Sequence, residues 1–445
     1  ACLLLGRAHQ KLHDAERALE HFEAALRLRA DDAELYDFRG SMYQELGRLP
    51  EAFADYDRAL ALRPDFPLAS FHRAMARLLV GDYEGGWDDY ELRRLTADHA
   101  PAMAGLRRWD GSPLAGRTVL VAREQGLGDE IMFASLLPQL LGLAGHCVVE
   151  CDPRLAATFR RSFPAATIFG TPPGGGLPQS IAPASIDVAI EAGSLPVRLR
   201  RQAADFPQHQ GYLKADPLMI AQARERLAAL GPGLKVGLSW TGGVRKTRRE
   251  LRSLAPAQLL SLLRVPGVHF VSLQYTAGAR DEVGTLRTQH GIAVEHWPEV
   301  IEDYDRTAAL VCALDLVISV CTSLVHLGGA LGRPVWVMAP LAPEWRYGFA
   351  GTAMSWYPSV RLFRQSGYGQ WQPVIATVAG ELAQAAAREP TQGAAPDPLA
   401  AHMLGAACAM QGRYADAIEA LRPALDSARP DADAANLAGV CCSLL

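Results

Sequence analysis

The sequence predicts two α/β lobes, each built on a parallel Rossmann-like sheet, carried between blocks of paired-helix repeats. Three observations lead there. Residues near both ends recur with a fixed period of 34. From Thr118 to Gln365 the pattern changes, and short β-branched runs alternate with helical stretches. Within that region Gly231-Pro232-Gly233 ends a helical segment just before a fresh strand, which marks the division between the lobes.

The repeats come first. Gly6 matches Gly40, Phe22 matches Tyr56, and Ala25 matches Ala59, while Gly47 recurs at Gly81 and Tyr56 at Tyr90. One repeat is complete: Tyr36, Gly40, Tyr43, Gly47, Ala52, Tyr56, Ala59, Pro64. This is the tetratricopeptide pattern, in which small residues let two helices approach and aromatics fill the space between neighbouring pairs. After the Pro/Gly/Ala-rich stretch Glu389 to Pro398 it returns, with Gly405 recurring at Gly439 and Gly412, Ala417 and Ala424 between. The expected domains are repeats over 1–100, a first lobe over 117–230, a second lobe with a return helix over 233–388, and incomplete repeats over 396–445. The repeats serve either as a packing scaffold or as a groove for a protein partner or acceptor.

Composition narrows the function classes. The 445 residues carry a net charge of −4, which gives no bulk electrostatic case for nucleic acid or an anionic membrane. No apolar run approaches the roughly 20 residues of a membrane span. The 8 cysteines are scattered, mostly in apolar runs, and read as reduced thiols of a cytoplasmic protein. No paired Cys/His spacing completes a metal site.

Strands are predicted at Thr118–Arg123, Cys147–Cys151, Thr167–Phe169, Asp187–Ile190, Lys235–Trp240, His269–Gln274, Leu316–Val320 and Val335–Met338. Ligands of such folds bind beyond the carboxyl ends of the strands, and four constellations lie there. The first is Arg123-Glu-Gln-Gly126-Leu-Gly128-Asp129-Glu-Ile131. Its glycines permit a tight turn. Ile131 stands where a dinucleotide fingerprint needs its third glycine, which disfavours an oxidoreductase. Asp129 is either a general base facing the cleft or a carboxylate complementing a helix dipole. The second runs from Ser239 to Leu254 and carries Thr241, Arg245, Lys246, Arg248, Arg249 and Arg252. Cations and hydroxyls suit a diphosphate, though a solvated basic loop has the same composition. In the third, the apolar run Leu316–Val320 leads through Cys321 into a helix opening at Thr322 and Ser323. His326 lies four positions after Thr322, on the same helix face. The fourth joins Pro340-Leu-Ala-Pro-Glu-Trp-Arg-Tyr347 to Trp356-Tyr-Pro and Arg361–Gln365. Its aromatics and arginines line a ligand pocket or pack between lobes. Asp303-Tyr-Asp305 reads as acids at a helix N-terminus rather than as metal ligands.

Together these motifs resemble glycosyltransferase family 9, which includes the ADP-heptose heptosyltransferases, and in particular bacterial proteins joining tetratricopeptide repeats to such a domain. The resemblance rests on Gly126-Leu-Gly-Asp129, on VGLSWTGG with Arg252-Ser253, on DLVISVCTSLVHLGGALGRPVWVM, and on EWRYGF with WYP and RLFRQ. It implies the two-lobed GT-B fold and an inverting, metal-independent transfer of a sugar from a nucleotide sugar to a hydroxyl, with no further cofactor. By this resemblance Asp129 is the base that deprotonates the acceptor. Thr241, with Lys246 or Arg252, holds the diphosphate. Gly126, Gly128, Gln274, Cys321, Thr322, Ser323 and His326 complete the donor site. Lys246 keeps the offset from Thr241 and Arg252 fits the local pattern, so both stand. The family usually has Asp where this chain has Cys321, and a thiol cannot replace a carboxylate as hydrogen-bond acceptor. The alternative is a non-catalytic repeat adaptor with a vestigial GT-B domain.

Overall fold

The computed structural model describes residues 1–95, 105–172, 175–243, 249–388, 409, 414–425 and 432–444. Three helix pairs open the chain: α1 (Cys2–Lys11) with α2 (Ala15–Leu28), α3 (Ala33–Glu45) with α4 (Leu49–Leu62), and α5 (Pro67–Val80) with α6 (Tyr83–Tyr90). The recurring glycines have a steric cause. A Cβ on Gly40 would stand 2.9 Å from the Tyr56 ring, and one on Gly6 would stand 2.6 Å from the Phe22 ring. The repeat therefore conserves its packing distance along with its spacing.

The first lobe contains β1 (Thr118–Ala122), β2 (His146–Cys151), β3 (Thr167–Gly170) and β4 (Val188–Glu191), all parallel, in the order β3-β2-β1-β4. The second has seven strands: β5 (Leu234–Ser239), β6 (Val268–Ser272), β7 (Val294–His296), β8 (Leu316–Val320), β9 (Val335–Ala339), β10 (Ala353–Met354) and β11 (Tyr357–Arg364). Their order is β10-β11-β9-β8-β5-β6-β7, with only the β10–β11 pair antiparallel. Two Rossmann-like lobes next to tetratricopeptide repeats make this a GT-B fold with helical repeats attached. The eight expected strands form, each within a residue or two of its expected ends. Three more were not foreseen: β7, β10 and β11.

One element packs away from the lobe with which it was grouped. Helix Pro217–Ala228, placed with the first lobe by the sequence, packs on helix Tyr304–Ala313 of the second. The segment leading to it is tied there as well, since Tyr212 and Leu213 donate backbone hydrogen bonds to Ala330. The return helix Gln372–Ala387 packs on its own lobe, because Val374, Ile375, Val378 and Leu382 bury against the core of the seven-stranded sheet. Asp303 caps helix Tyr304–Ala313 by accepting from the Asp305 and Arg306 amides. Asp305 then crosses to the first lobe, where it pairs with Arg161 at 2.7 Å and accepts from the Thr158 hydroxyl at 2.7 Å. Neither carboxylate of Asp303-Tyr-Asp305 is set out as a metal ligand.

The two lobes and the last helix pair share one core. Trp87 of α6 stacks edge-on against Trp345 of the second lobe at 5.2 Å and donates its indole N–H to the Arg200 carbonyl of the first. Phe206 joins Tyr83 to Trp356, with centroids at 4.7 and 4.9 Å. Near the C-terminus, helices Tyr414–Leu425 and Ala432–Leu444 pack through Leu421, Ala434 and Ala438. Among the described residues no helix is long and apolar enough to cross a membrane.

Candidate active site

β1 is buried apart from its first residue and ends at Ala122. The chain then turns through Glu124 and Gln125 into helix Leu127–Phe133. Gln125 is a non-glycine residue at φ +66°, a backbone region that L-residues adopt reluctantly. It is held there by a hydrogen bond from its amide to the Tyr90 hydroxyl of α6. The neighbouring Glu124 receives both Nε and Nη2 of buried Arg93, at 2.6 and 2.7 Å. The repeats thus fix both residues that precede Gly126-Leu-Gly-Asp129.

Asp129 is the third residue of its helix. Its Oδ2 accepts the Gly126 amide at 3.3 Å, which is the local capping geometry expected of a carboxylate there. Its Oδ1 is ion-paired with Arg346 of the second lobe. Gly128 faces the same lobe, where an added Cβ would stand 2.9 Å from the His326 ring. The loop and helix Ser323–Ala330 are therefore in direct contact.

Opposite, Gln274 organises the end of β5. It is fully buried, and its Oε1 accepts from the Ser239 hydroxyl at 3.0 Å, the Trp240 amide at 3.1 Å and the Thr241 amide at 3.3 Å. Its Nε2 points back to the Thr241 carbonyl. With both ends of its amide engaged by the loop, Gln274, expected among the donor contacts, holds the end of β5 in place. Thr241 is brought close to Cys321 and Thr322, since a Cβ on the adjacent Gly242 would stand 2.5 Å from the Cys321 carbonyl. Arg252 is ion-paired with Glu344. Lys246 lies outside the described residues.

The third constellation is more enclosed than expected. Thr322 is a helix N-cap whose hydroxyl accepts the Leu324 amide at 3.1 Å and meets the Ser319 hydroxyl at 3.0 Å. Ser323 follows it, half-buried, with its Cα 3.4 Å from a Cβ added at Gly128. His326 is buried, with Nδ1 3.1 Å from the Tyr357 hydroxyl. Burial, reinforced by the Arg346 charge, pushes its pKa well below the ordinary imidazole range, so the ring is neutral. Cys321 is 1% exposed, and burial raises its thiol to about 11 despite the charges of Arg252, Arg364 and Arg346. It is a neutral group in a positive surrounding and lacks the reactivity of a thiolate.

The fourth constellation supplies what the sequence left unassigned. Arg364 at the end of β11 donates to the carbonyls of Tyr347, Gly348 and Gly351 at 2.6, 2.9 and 2.7 Å. These bonds shape the loop that presents Glu344 and Arg346. On its other side a cavity of about 310 Å³ is lined by Glu45 of α3, Glu250, Ser253, Leu341, Gln365 and Trp371. The site thus joins Asp129, Arg346, Arg252, Glu344 and Cys321. Arg346 lay inside a motif the sequence singled out, but its partner 217 residues away carried no local signal. Tyr90 was legible only as a repeat position, Glu124 only as a member of the first motif, and Arg93 was not singled out at all. Among the described residues no group of three His, Cys, Asp or Glu side chains is arranged to hold a metal ion.

The tetratricopeptide repeat pattern is matched at residues 1–32 and 33–63. Over 404 residues the chain is 34% identical to Protein FlbA of Caulobacter vibrioides, covering 86% of this chain and 67% of that protein. Similar solved structures include a glycosyl transferase family 9 protein of Veillonella parvula, at 13% identity, with 63% of this chain and 100% of that one covered and a TM-score of 0.44. Another is the ADP-heptose LPS heptosyltransferase II of E. coli, at 14% identity, with coverages of 61% and 97% and a TM-score of 0.42.

Proposed function

The chain belongs to the family of Protein FlbA, and from that premise we propose that it is an inverting, metal-independent glycosyltransferase that moves a sugar from a nucleotide sugar to a hydroxyl. The observation that carries this reading is the pairing of opposite chemistries across the cleft. A carboxylate of the first lobe, Asp129, faces Arg346 of the second, and Arg252 lies close by. The transfer needs both. Asp129 takes the acceptor proton as the acceptor oxygen bonds to the anomeric carbon. The bond from that carbon to phosphate breaks, and its electron pair leaves on the diphosphate, whose charge the arginines stabilise. Thr241 lies at the same strand end and supplies a hydroxyl to the phosphates.

The donor lies mainly on the second lobe, and the acceptor approaches Asp129 from the first. The repeats favour an acceptor or partner that is itself a protein. A cytoplasmic nucleotide sugar is the only co-substrate this scheme requires. Purified protein incubated with ADP-, GDP-, UDP- and dTDP-sugars in EDTA is expected to bind one class and to release its nucleoside diphosphate when an acceptor is present. Asp129→Asn keeps the shape and removes the base, and is expected to cut transfer by roughly 10²–10⁴-fold. Binding without transfer to any acceptor would favour the adaptor reading, to which the enclosed, neutral Cys321 lends support. No binding of any nucleotide would end the enzyme reading.

A further inference from the structure

Arg346 has buried donors that its one ion pair does not use. A guanidinium offers five N–H donors in a fixed fork. Here it lies against the Trp345 ring, with its side chain only 15% exposed, and its one hydrogen-bond partner among the described residues is Asp129. Its Nε is buried with no hydrogen-bond partner among the described residues. Buried donors of a charged group are costly to leave unmade. A second anion with several acceptor oxygens would satisfy them. The one anion Arg346 does hold is the group required as a base, and a carboxylate oxygen occupied by a guanidinium is not open to an acceptor hydroxyl.

We propose that Arg346 is the principal diphosphate-binding residue, and that in the empty site it is parked on Asp129. This rests on the glycosyltransferase reading above. A nucleoside diphosphate carries more charge and more acceptor oxygens than one carboxylate, so it draws the guanidinium fork to itself. Asp129 is then released from its ion pair and can take the acceptor proton. Donor binding and base activation become one event: the carboxylate is free only when a sugar is in place to be transferred. The surroundings suit such an exchange. Arg346 sits on a loop pinned by Arg364 at three carbonyls, so its backbone is fixed and the side chain alone swings. Glu344, two residues earlier, holds Arg252 and gives that arginine the same choice between a carboxylate and phosphate.

The test compares the affinities of ADP, GDP, UDP and dTDP with those of the matching nucleosides, by titration calorimetry on the full chain. Arg346→Gln is expected to weaken the preferred diphosphate about 10- to 100-fold, the cost of one or two charge-assisted hydrogen bonds, and to leave the nucleoside unchanged. Arg346→Lys should recover part of the loss. Asp129→Asn leaves Arg346 in place and removes its rival anion, so it is expected to bind the diphosphate several-fold more tightly than wild type. That variant keeps the test decisive even where Arg346→Gln folds poorly. Diphosphate affinity unchanged in both Arg346→Gln and Asp129→Asn overturns the assignment of Arg346 while leaving the enzyme reading intact. A wild-type protein that binds none of the four diphosphates overturns both.

Discussion

Glu130 shows how closely charge is managed beside the proposed base. It is buried next to Asp129, accepts the Asp152 amide at 2.6 Å and pairs with Arg123 at 2.9 Å. Burial outweighs these partners and raises its pKa to about 7. Between the ordinary glutamate range and about 7, the folded protein therefore holds a proton that the unfolded chain has released. Stability contributed by this group is full at low pH and is lost as pH rises through 7. Glu130→Gln should remove that slope: its Tm, measured from pH 5 to 8, is expected to gain on wild type as pH increases, and parallel curves would refute the burial argument. At this scale much of the site could be read from sequence. Asp129, Thr241, Arg252 and Cys321 stand in short motifs whose spacing carries the chemistry. Harder to read were side chains with two plausible ends. Gln274 could have turned to a ligand or to its own loop, and only the three donors converging on its Oε1 decide.

Among the elements, helix Ser323–Ala330 bears the closest packing. A Cβ on Gly329 would stand 2.3 Å from the Tyr357 ring. That ring cannot give way, because its hydroxyl lies 3.1 Å from His326 and 3.4 Å from the Tyr212 hydroxyl. Gly329→Ala is expected to cost about 1–3 kcal/mol through overpacking. Denaturant melts should show it as a lower midpoint with an unchanged slope. The strands differ in how visible they are. β8 reads LVISV and is buried at every position, so its apolar run is unmistakable. β11 reads YPSVRLFR, with a proline at its second position and arginines spaced along it, and this pattern passes for a polar loop. It still forms, because Leu362 and Phe363 bury on opposite faces of the sheet while Arg361 reaches Glu381 and Arg364 turns back to its loop. β7 is three residues long, too short for any alternation to show.

Across the whole molecule, the repeats and the lobes are joined by burial rather than by a hinge. Trp87 is 1% exposed and touches Tyr90, Trp345 and the Arg200 carbonyl. Trp87→Ala should cost about 3–5 kcal/mol and lower the melting of repeats and lobes together. Calorimetry that showed the lobes melting unaltered, with only a separate repeat transition shifted, would contradict a shared core. The repeats were legible from their period and the lobes from their strands, but this junction had no sequence signature. Its contacts link residues far apart, such as the Tyr83 and Ser355 hydroxyls, 3.0 Å distant in space and 272 residues apart in the chain. That separation sets a schedule for synthesis. Ribosomes add about 5–20 residues per second, so α6 leaves the ribosome roughly 13 to 50 seconds before Trp345 is made. The Arg200 carbonyl and Phe206 arrive sooner, but until Trp345 follows, the aromatic face of α6 lacks its second-lobe partner. The same aromatic surface that later steadies the Asp129 loop is thus the last part of the repeats to be covered.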